Sequence, residues 1–447
     1  MTTSPAGPVG PIGRPGRVAG PRSAEAGVGS VDVRENARVD KDLLDSAQQQ
    51  AGPSSSGATA GTAAATAVPA RLSAGRGALR ALRGAAVPLA VAAVSALLSC
   101  LLINWMKTPG ETFAGRFHVW DASFYVQIAE SGYPHGYTYA ANGQLSGNTL
   151  AFFPLYPLLI RIVHLVTGLA FGTSAVVVAW MCAAGAAVAV HHLVARLRSA
   201  RVAGFAVALV FCQPMAVTLW IGYTESLFLL LAAAALLAIR KEAWIWAGVL
   251  TCLAGLTRST GVAVAAALVV GVLLAARRER SLRPRMLLGC LLGCVGLPAY
   301  LLWVGLRVGQ LDGWTRIQSA GWNTAWDWGS STVDFLSSTL HGADGWVQVS
   351  VAFILLGYVV ACAAALLSRP WPPLAVYGVL ILVLSLGQSN YYHSKPRLLV
   401  PVLLAVIPLA EALARGRRPG AYLALAWIAF LGSWFGAYML TFWPYAI

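Results

Sequence analysis

The sequence predicts an all-α polytopic membrane protein of about 11 transmembrane helices, with extracytoplasmic amphipathic helices in its first outer loop. Three observations carry this. The 447 residues are 57% hydrophobic and 11% charged, against roughly 25% charge in soluble domains. From about residue 85 onward, apolar runs of 15 to 25 residues alternate with short polar or basic segments, and a membrane helix needs about 20 such residues. The alternating polarity of a transmembrane barrel, in stretches of roughly ten residues, does not occur.

Residues 1–83 are rich in Ala, Gly, Pro, Ser and Arg with almost no aromatics, the composition of a disordered tail. The segment is too long and too polar for a secretory signal. Its basic end, Arg71, Arg76, Arg80 and Arg83, abuts the first span. That places the N-terminus in the cytoplasm and leaves residues 84–447 as the membrane domain. The spans fall at 85–105, 172–195, 203–221, 226–239, 243–257, 259–276, 286–306, 347–368, 374–388, 397–414 and 421–442. The stretch 152–171, with Pro154, Pro157, Arg161 and His164, is assigned to the outer interface as a Pro-kinked amphipathic helix. If it crossed, every later basic cluster would be on the wrong side.

With this layout the inner segments hold Arg196/Arg198/Arg201, Arg240/Lys241, the arginines from Arg277 to Arg285, Arg369, and Arg415/Arg417/Arg418. The net charge of +15 is therefore the positive-inside asymmetry of a membrane protein and not a nucleic-acid footprint. All seven cysteines lie in spans, which disfavours a disulfide framework and a zinc site. No His/Asp cluster has ligand spacing, so no cofactor is expected. A divalent metal bridging Asp121 and a phosphate is the one metal role the sequence leaves room for.

The outer face collects the unusual polar residues, in two long loops (106–171 and 307–346) and in turns at 223–226, 257–261 and 390–397. In the first loop, Trp120, Phe124, Gln127/Ile128 and Ser131 recur at helical spacing, so Asp121 stands near the start of a short amphipathic helix. Spacing alone gives that acid two readings: a helix cap worth about 0.5–2 kcal/mol, or a group that does chemistry. The second loop carries Trp314, Trp322, Trp326, Trp328 and Trp346 with Asp312 and Asp327. Its indoles are read either as interfacial anchors or as faces for sugar stacking.

Four motifs in order resemble the PIG-V-like mannosyltransferases, relatives of the GPI mannosyltransferases within the glycosyltransferase-C superfamily. They are Trp120-Asp121…Tyr125…Ile128-Ala129-Glu130…Gly132-Tyr133, Phe152-Phe153-Pro154-Leu155-Tyr156-Pro157, Tyr223-Thr224-Glu225-Ser226, and Thr257-Arg258-Ser259…Gly261, with a weaker echo at Pro396-Arg397. The resemblance spans roughly residues 115–262. One departure is Ala122, where the family often has Gly.

The resemblance implies a helical bundle that moves mannose from a polyprenyl-phosphate-linked donor to an acceptor hydroxyl on the extracytoplasmic side. A donor anchored in lipid also suits that side physically, because the charges of a nucleotide sugar make crossing hydrocarbon costly. Such a transfer needs a base and cations for the departing phosphate, roles given to Asp121 and to Arg258, with Arg397 and Lys395 as second choices. For Arg258 the competing reading is a helix-end arginine snorkelling to the interface. Trp120, Tyr125 and Glu225 complete the expected substrate-binding set. Glu225 is read as a helix cap, as a partner for Arg258, or as a contact to sugar hydroxyls. His118 and His393 are read as interfacial.

The expected partners are a lipid-linked sugar donor, a glycolipid or glycoprotein acceptor and the bilayer, with no nucleic acid. The expected location is the plasma membrane. A flippase or transporter of lipid-linked sugars is the competing class, since it too needs an outer groove and cations. The layout makes a direct prediction: in intact cells, Asp121→Cys reacts with a membrane-impermeant maleimide, and protection until the cells are opened would reverse the orientation.

Overall fold

In the computed structural model, residues 70–343 and 345–447 are described, and the expected tail up to residue 69 lies outside them. The described chain is helical apart from short loops and two-residue strands. Six helices are long and apolar enough to cross a membrane by length and composition: Gly84–Met106, Phe171–Leu197, Gly261–Glu279, Pro284–Val308, Trp346–Leu367 and Arg418–Thr441. A bent pair, Tyr392–Leu399 with Leu403–Arg415, passes the same test as one broken unit. Other apolar helices, among them Ala200–Cys212, Trp244–Gly255 and Pro372–Leu386, are shorter.

In chain order the α-helices are α1 (Ala70–Met106), α2 (Asp121–Ser131), α3 (Leu155–Thr167), α4 (Phe171–Leu197), α5 (Ala200–Cys212), α6 (Glu225–Arg240), α7 (Trp244–Gly255) and α8 (Gly261–Glu279). They continue as α9 (Pro284–Val308), α10 (Gly313–Trp322), α11 (Ser330–Gly342), α12 (Trp346–Leu367), α13 (Pro372–Leu386), α14 (Lys395–Leu399), α15 (Leu403–Arg415) and α16 (Arg418–Thr441). β1 (Thr138–Tyr139) pairs antiparallel with β2 (Leu145–Ser146). β3 (Ala325–Trp326) pairs with β4 (Gln388–Ser389) and ties the second long loop to the turn before α14.

Three expectations change, at 152–171, 203–221 and 397–414, the last of which is broken at residues 400–402. The stretch 152–171 forms an amphipathic helix, α3, but its prolines start it and do not kink it. Pro154 precedes the helix and Pro157 sits in its first turn, where a backbone N–H has no intrahelical partner to lose. Tyr156 and Ile160 are buried while Leu158, Leu165 and Val166 are exposed, so both a protein-facing and an outward apolar face exist.

The expected span 203–221 stops early. α5 ends at Cys212 because Gln213 precedes Pro214, which disfavours helical backbone at Gln213 and removes a donor. Gln213 is extended, Met215 takes a left-handed conformation, and a 3₁₀ turn follows at Ala216–Leu219 before α6 begins. This irregular segment is buried except at Pro214, which is half-buried. Such backbone is tolerated at membrane depth only where protein covers it and its polar groups find partners. Gln213 supplies two bonds, donating to the carbonyls of Val210 (2.9 Å) and Val400 (3.0 Å).

The second break is at residues 400–402, where α14 and α15 meet at 66°. Its carbonyls are met by Gln213 at Val400 and by the Tyr377 hydroxyl at Pro401, 2.8 Å. Tyr358 donates to the Gln213 side-chain carbonyl. One amide thus joins both broken helices.

Around these breaks the helices pack on small residues. α4 buries Ala175, Ala179, Ala183, Ala186 and Ala187, and α7 lies directly on α9. There a Cβ on Gly296 would come within 2.1 Å of the Cys252 carbonyl oxygen. Apolar surface gains little from burial against another helix in lipid, so close backbone approach supplies the association. Gly296→Leu should therefore lower stability by about 1–3 kcal/mol, the usual cost of overpacking, read as earlier thermal unfolding in detergent. An unchanged transition would show that α7 and α9 separate freely.

Candidate active site

Asp121 is the first residue of α2, and the residue before it turns the chain. Trp120 has φ 54 and ψ −119, a conformation rarely adopted outside glycine. The residue in the N-cap position is Trp120, with no side-chain capping hydrogen bond, and Asp121 is the acid of the first turn. Its Oδ2 lies 2.6 Å from Nη1 of Arg397, and both side chains are about 15% exposed. Arg397 comes from α14, near the other end of the membrane domain, and its guanidinium carbon lies 5.1 Å from the centre of the Tyr223 ring.

A second ion pair stands beside the first. Glu225 opens α6 and Arg258 lies in the turn between α7 and α8. Glu225 Oε1 and Arg258 Nη1 are 2.6 Å apart, with Glu225 only 2% exposed. The contact is close but not aligned as a hydrogen bond, because both Glu225 oxygens are buried without an aligned donor. Arg258 Nη1 also donates to the Thr224 hydroxyl at 3.1 Å, and the Tyr125 hydroxyl lies 3.4 Å from the same oxygen. Of the readings of Glu225, the structure shows the partnership with Arg258.

Both pairs line one cavity of about 160 Å³, whose walls include Asp121, Tyr125, Tyr223, Glu225, Arg258 and Arg397. Burial, with the Asp121 charge adding to it, pushes the Tyr125 and Tyr223 phenols above their ordinary range. Both therefore stay neutral at physiological pH. An adjoining cavity of about 480 Å³ shares Ser259, Trp314, Gln318, Thr324 and Gln388 with the first and adds Trp326 and Leu384.

Loops that are themselves fastened build this wall. The Tyr300 hydroxyl donates to the carbonyls of Leu150 (3.0 Å) and Phe152 (2.7 Å). Gln318 from α10 donates to Ala151, 3.1 Å. Gly222 donates its N–H to the Phe117 carbonyl at 3.0 Å. A Cβ at Gly222 would lie 3.1 Å from the Ala122 methyl. The alanine that departs from the family pattern is thus buried against a glycine that leaves it room.

Other expected residues stand elsewhere. Lys395 is buried, and its ammonium donates to the carbonyls of Ser385 (3.2 Å) and Gln388 (2.7 Å). It caps the C-terminal end of α13, a usual post for a lysine, and is not in the cavity wall. Trp120 contributes its backbone turn and is also outside the wall. His118 packs on Gly172, and His393 lies among Tyr391, Tyr392, Trp443 and Tyr445.

Of the tryptophans, Trp314 and Trp322 face the first cavity and Trp326 the second. Trp328 is 87% exposed, and Trp346 packs on Trp434, Phe435 and Tyr438. Asp312 pairs with Arg316 at 2.7 Å. Asp327 accepts from the backbone N–H groups of Gly329 and Ser331 at the start of α11. Among the described residues no group of three His, Cys, Asp or Glu is placed to hold a metal ion. Gln318 is a wall residue that no local pattern signals, whereas Thr224 and Asn390 stand in polar turns that the sequence marks without giving either residue a role.

Comparison with known proteins adds a family. The family model described as Mannosyltransferase (PIG-V) matches residues 92–287, the region that holds Asp121, Tyr125, Glu225 and Arg258 and ends before Arg397. The chain thus matches the PIG-V mannosyltransferases over that region. Among solved structures it is similar to ArnT from Cupriavidus metallidurans bound to undecaprenyl phosphate, at 16% identity and TM-score 0.48, covering 76% of this chain and 63% of that one. It is also similar to the oligosaccharyltransferase of Archaeoglobus fulgidus in the apo form, at 12% identity and TM-score 0.46, covering 79% and 56%. The chain therefore spans between half and two thirds of the length of these proteins. No curated protein matches it.

The site makes its own stability prediction. Arg258→Met strands a buried carboxylate and should cost about 3–5 kcal/mol, whereas Arg258→Met with Glu225→Leu should recover most of that. Thermal unfolding of the variants in detergent measures both. Equal loss in the single and double variants would show that the pair is held by something other than charge.

Proposed function

We propose that the chain is an inverting glycosyltransferase that moves a mannosyl residue from a polyprenyl-phosphate donor to an acceptor hydroxyl at the extracytoplasmic face of the plasma membrane. The N-terminus is cytoplasmic and eleven crossings complete the bundle. The observation that carries this reading is the convergence of two carboxylates and two arginines, Asp121, Glu225, Arg258 and Arg397, from four separate stretches of sequence on one cavity. The family match over residues 92–287 supports mannosyl transfer.

In the proposed reaction Asp121 accepts the proton of the acceptor hydroxyl as its oxygen attacks the anomeric carbon. The bond from that carbon to the phosphate oxygen breaks on the opposite face, and polyprenyl phosphate leaves with the electron pair. The departing phosphate gains charge, so a fixed cation stabilises the transition state more than the ground state. Arg397 is the better placed of the two arginines, because Arg258 is already engaged by Glu225 and Thr224. Arg258 then acts as a second, fixed positive wall. Tyr125 and Tyr223 offer neutral hydroxyls to the sugar. The indoles of Trp314 and Trp326, with Leu384, supply apolar surface beside the reacting centre. The acceptor is a glycolipid or a glycoprotein. The two arginines supply the positive charge that the departing phosphate needs.

Reconstituted protein given labelled polyprenyl-phosphate mannose and a membrane extract as acceptor source should form a new glycosidic product. Asp121→Asn should remain folded and turn over roughly 10²–10⁴-fold more slowly, the usual contribution of a general base. Near-normal transfer by that variant would remove Asp121 from the reaction, and movement of the lipid without product would indicate a transporter.

A further inference from the structure

The two ion pairs of the cavity are built differently. Glu225 is buried at 2% exposure against an arginine 17% exposed, and that arginine is also bonded to Thr224. Asp121 and Arg397 meet at the cavity surface, each about 15% exposed, through one nitrogen and one oxygen. A guanidinium carries five N–H groups; the Nε of Arg397 is buried with no partner, so the terminal nitrogens, one of them already held by Asp121, are those a ligand in the cavity can reach. A phosphate takes such a fork through two parallel bonds. The side chain rises from the five-residue α14, just before the 66° bend.

One guanidinium face rests on Tyr223, so the phosphate must approach within the plane already used by Asp121. The carboxylate and the phosphate then compete for one fork. Meanwhile Oδ2 of that carboxylate, held 2.6 Å from the guanidinium, is turned to Arg397 and not to an acceptor.

We propose that Asp121 and the donor phosphate compete for Arg397, so that arrival of the donor releases the base. The pair is a latch that makes donor binding a precondition for activating the acceptor, and it guards the cavity against deprotonation when no sugar is present. This rests on the functional reading above and adds an order of events to it. Two sites that compete in this way are coupled reciprocally: whatever weakens the carboxylate's hold on Arg397 must strengthen the phosphate's.

The test uses the full chain in detergent and undecaprenyl phosphate alone as the probe, with affinity measured by titration. Asp121→Asn, or Asp121→Ala if the first variant is poorly folded, should bind the probe roughly tenfold more tightly, within the range usual for coupled sites. Arg397→Gln should weaken binding. In the Arg397→Gln background the Asp121→Asn change should give no tightening. Unchanged or weaker binding by Asp121→Asn overturns the latch, and so does a gain that persists without Arg397, since that gain would be general electrostatics. The functional reading fails separately: it falls if Asp121→Asn still transfers sugar, whereas a variant inactive in transfer with unimproved probe affinity removes the latch alone.

Discussion

Two helices in this chain stop inside the bundle, and the backbone groups they leave open must be met by side chains because lipid offers no hydrogen bonds. Gln213 meets that requirement for both. Its amide serves the end of α5 and the bend between α14 and α15, and its carbonyl is held by Tyr358. The break after α5 lets the chain run irregularly into Tyr223, Thr224 and Glu225. The other break lets α14 bring in Arg397. The breaks thus bear on Glu225 and Arg397, whereas Asp121 and Arg258 reach the cavity from α2 and from the turn between α7 and α8.

The charges that arrive are all compensated. An isolated ion in low dielectric carries a penalty of several kcal/mol, which a close partner offsets. Each arginine of the cavity therefore has a carboxylate at 2.6 Å. The two arginines are alike in exposure, at 17% and 15%, and the carboxylates differ in how far they are withdrawn from water. A pair with a carboxylate 2% exposed is structural in energy and fixed in place. A pair about 15% exposed on both sides can exchange partners with a ligand of greater charge. The same logic removes Lys395 from the chemistry, because its ammonium is spent on the carbonyls at the end of α13.

Much of this was legible in the sequence. Hydropathy located the long helices because an apolar run of membrane length is a local property. Helical spacing put Asp121 at the start of a short helix, as found for α2, and motif order brought out Tyr125, Glu225 and Arg258 together. The span expected at 203–221 was misjudged because hydropathy does not distinguish a helix from buried irregular backbone of the same composition. Gln213-Pro214 within an apolar run was the local sign of the break. Lys395 and Arg397 looked equivalent two residues apart, and only the direction of each side chain separates them.

What the sequence by itself determined is therefore a helical protein with several apolar helices of membrane length, and the approximate positions of those helices. Those depend on composition and on periodicities of a few residues. The tertiary structure decided which acid meets which arginine: Asp121 with Arg397, near opposite ends of the membrane domain, and Glu225 with Arg258. Pairing of that kind follows from where broken helices can be satisfied and how closely small residues let backbones approach, and neither is a property of any local stretch of chain.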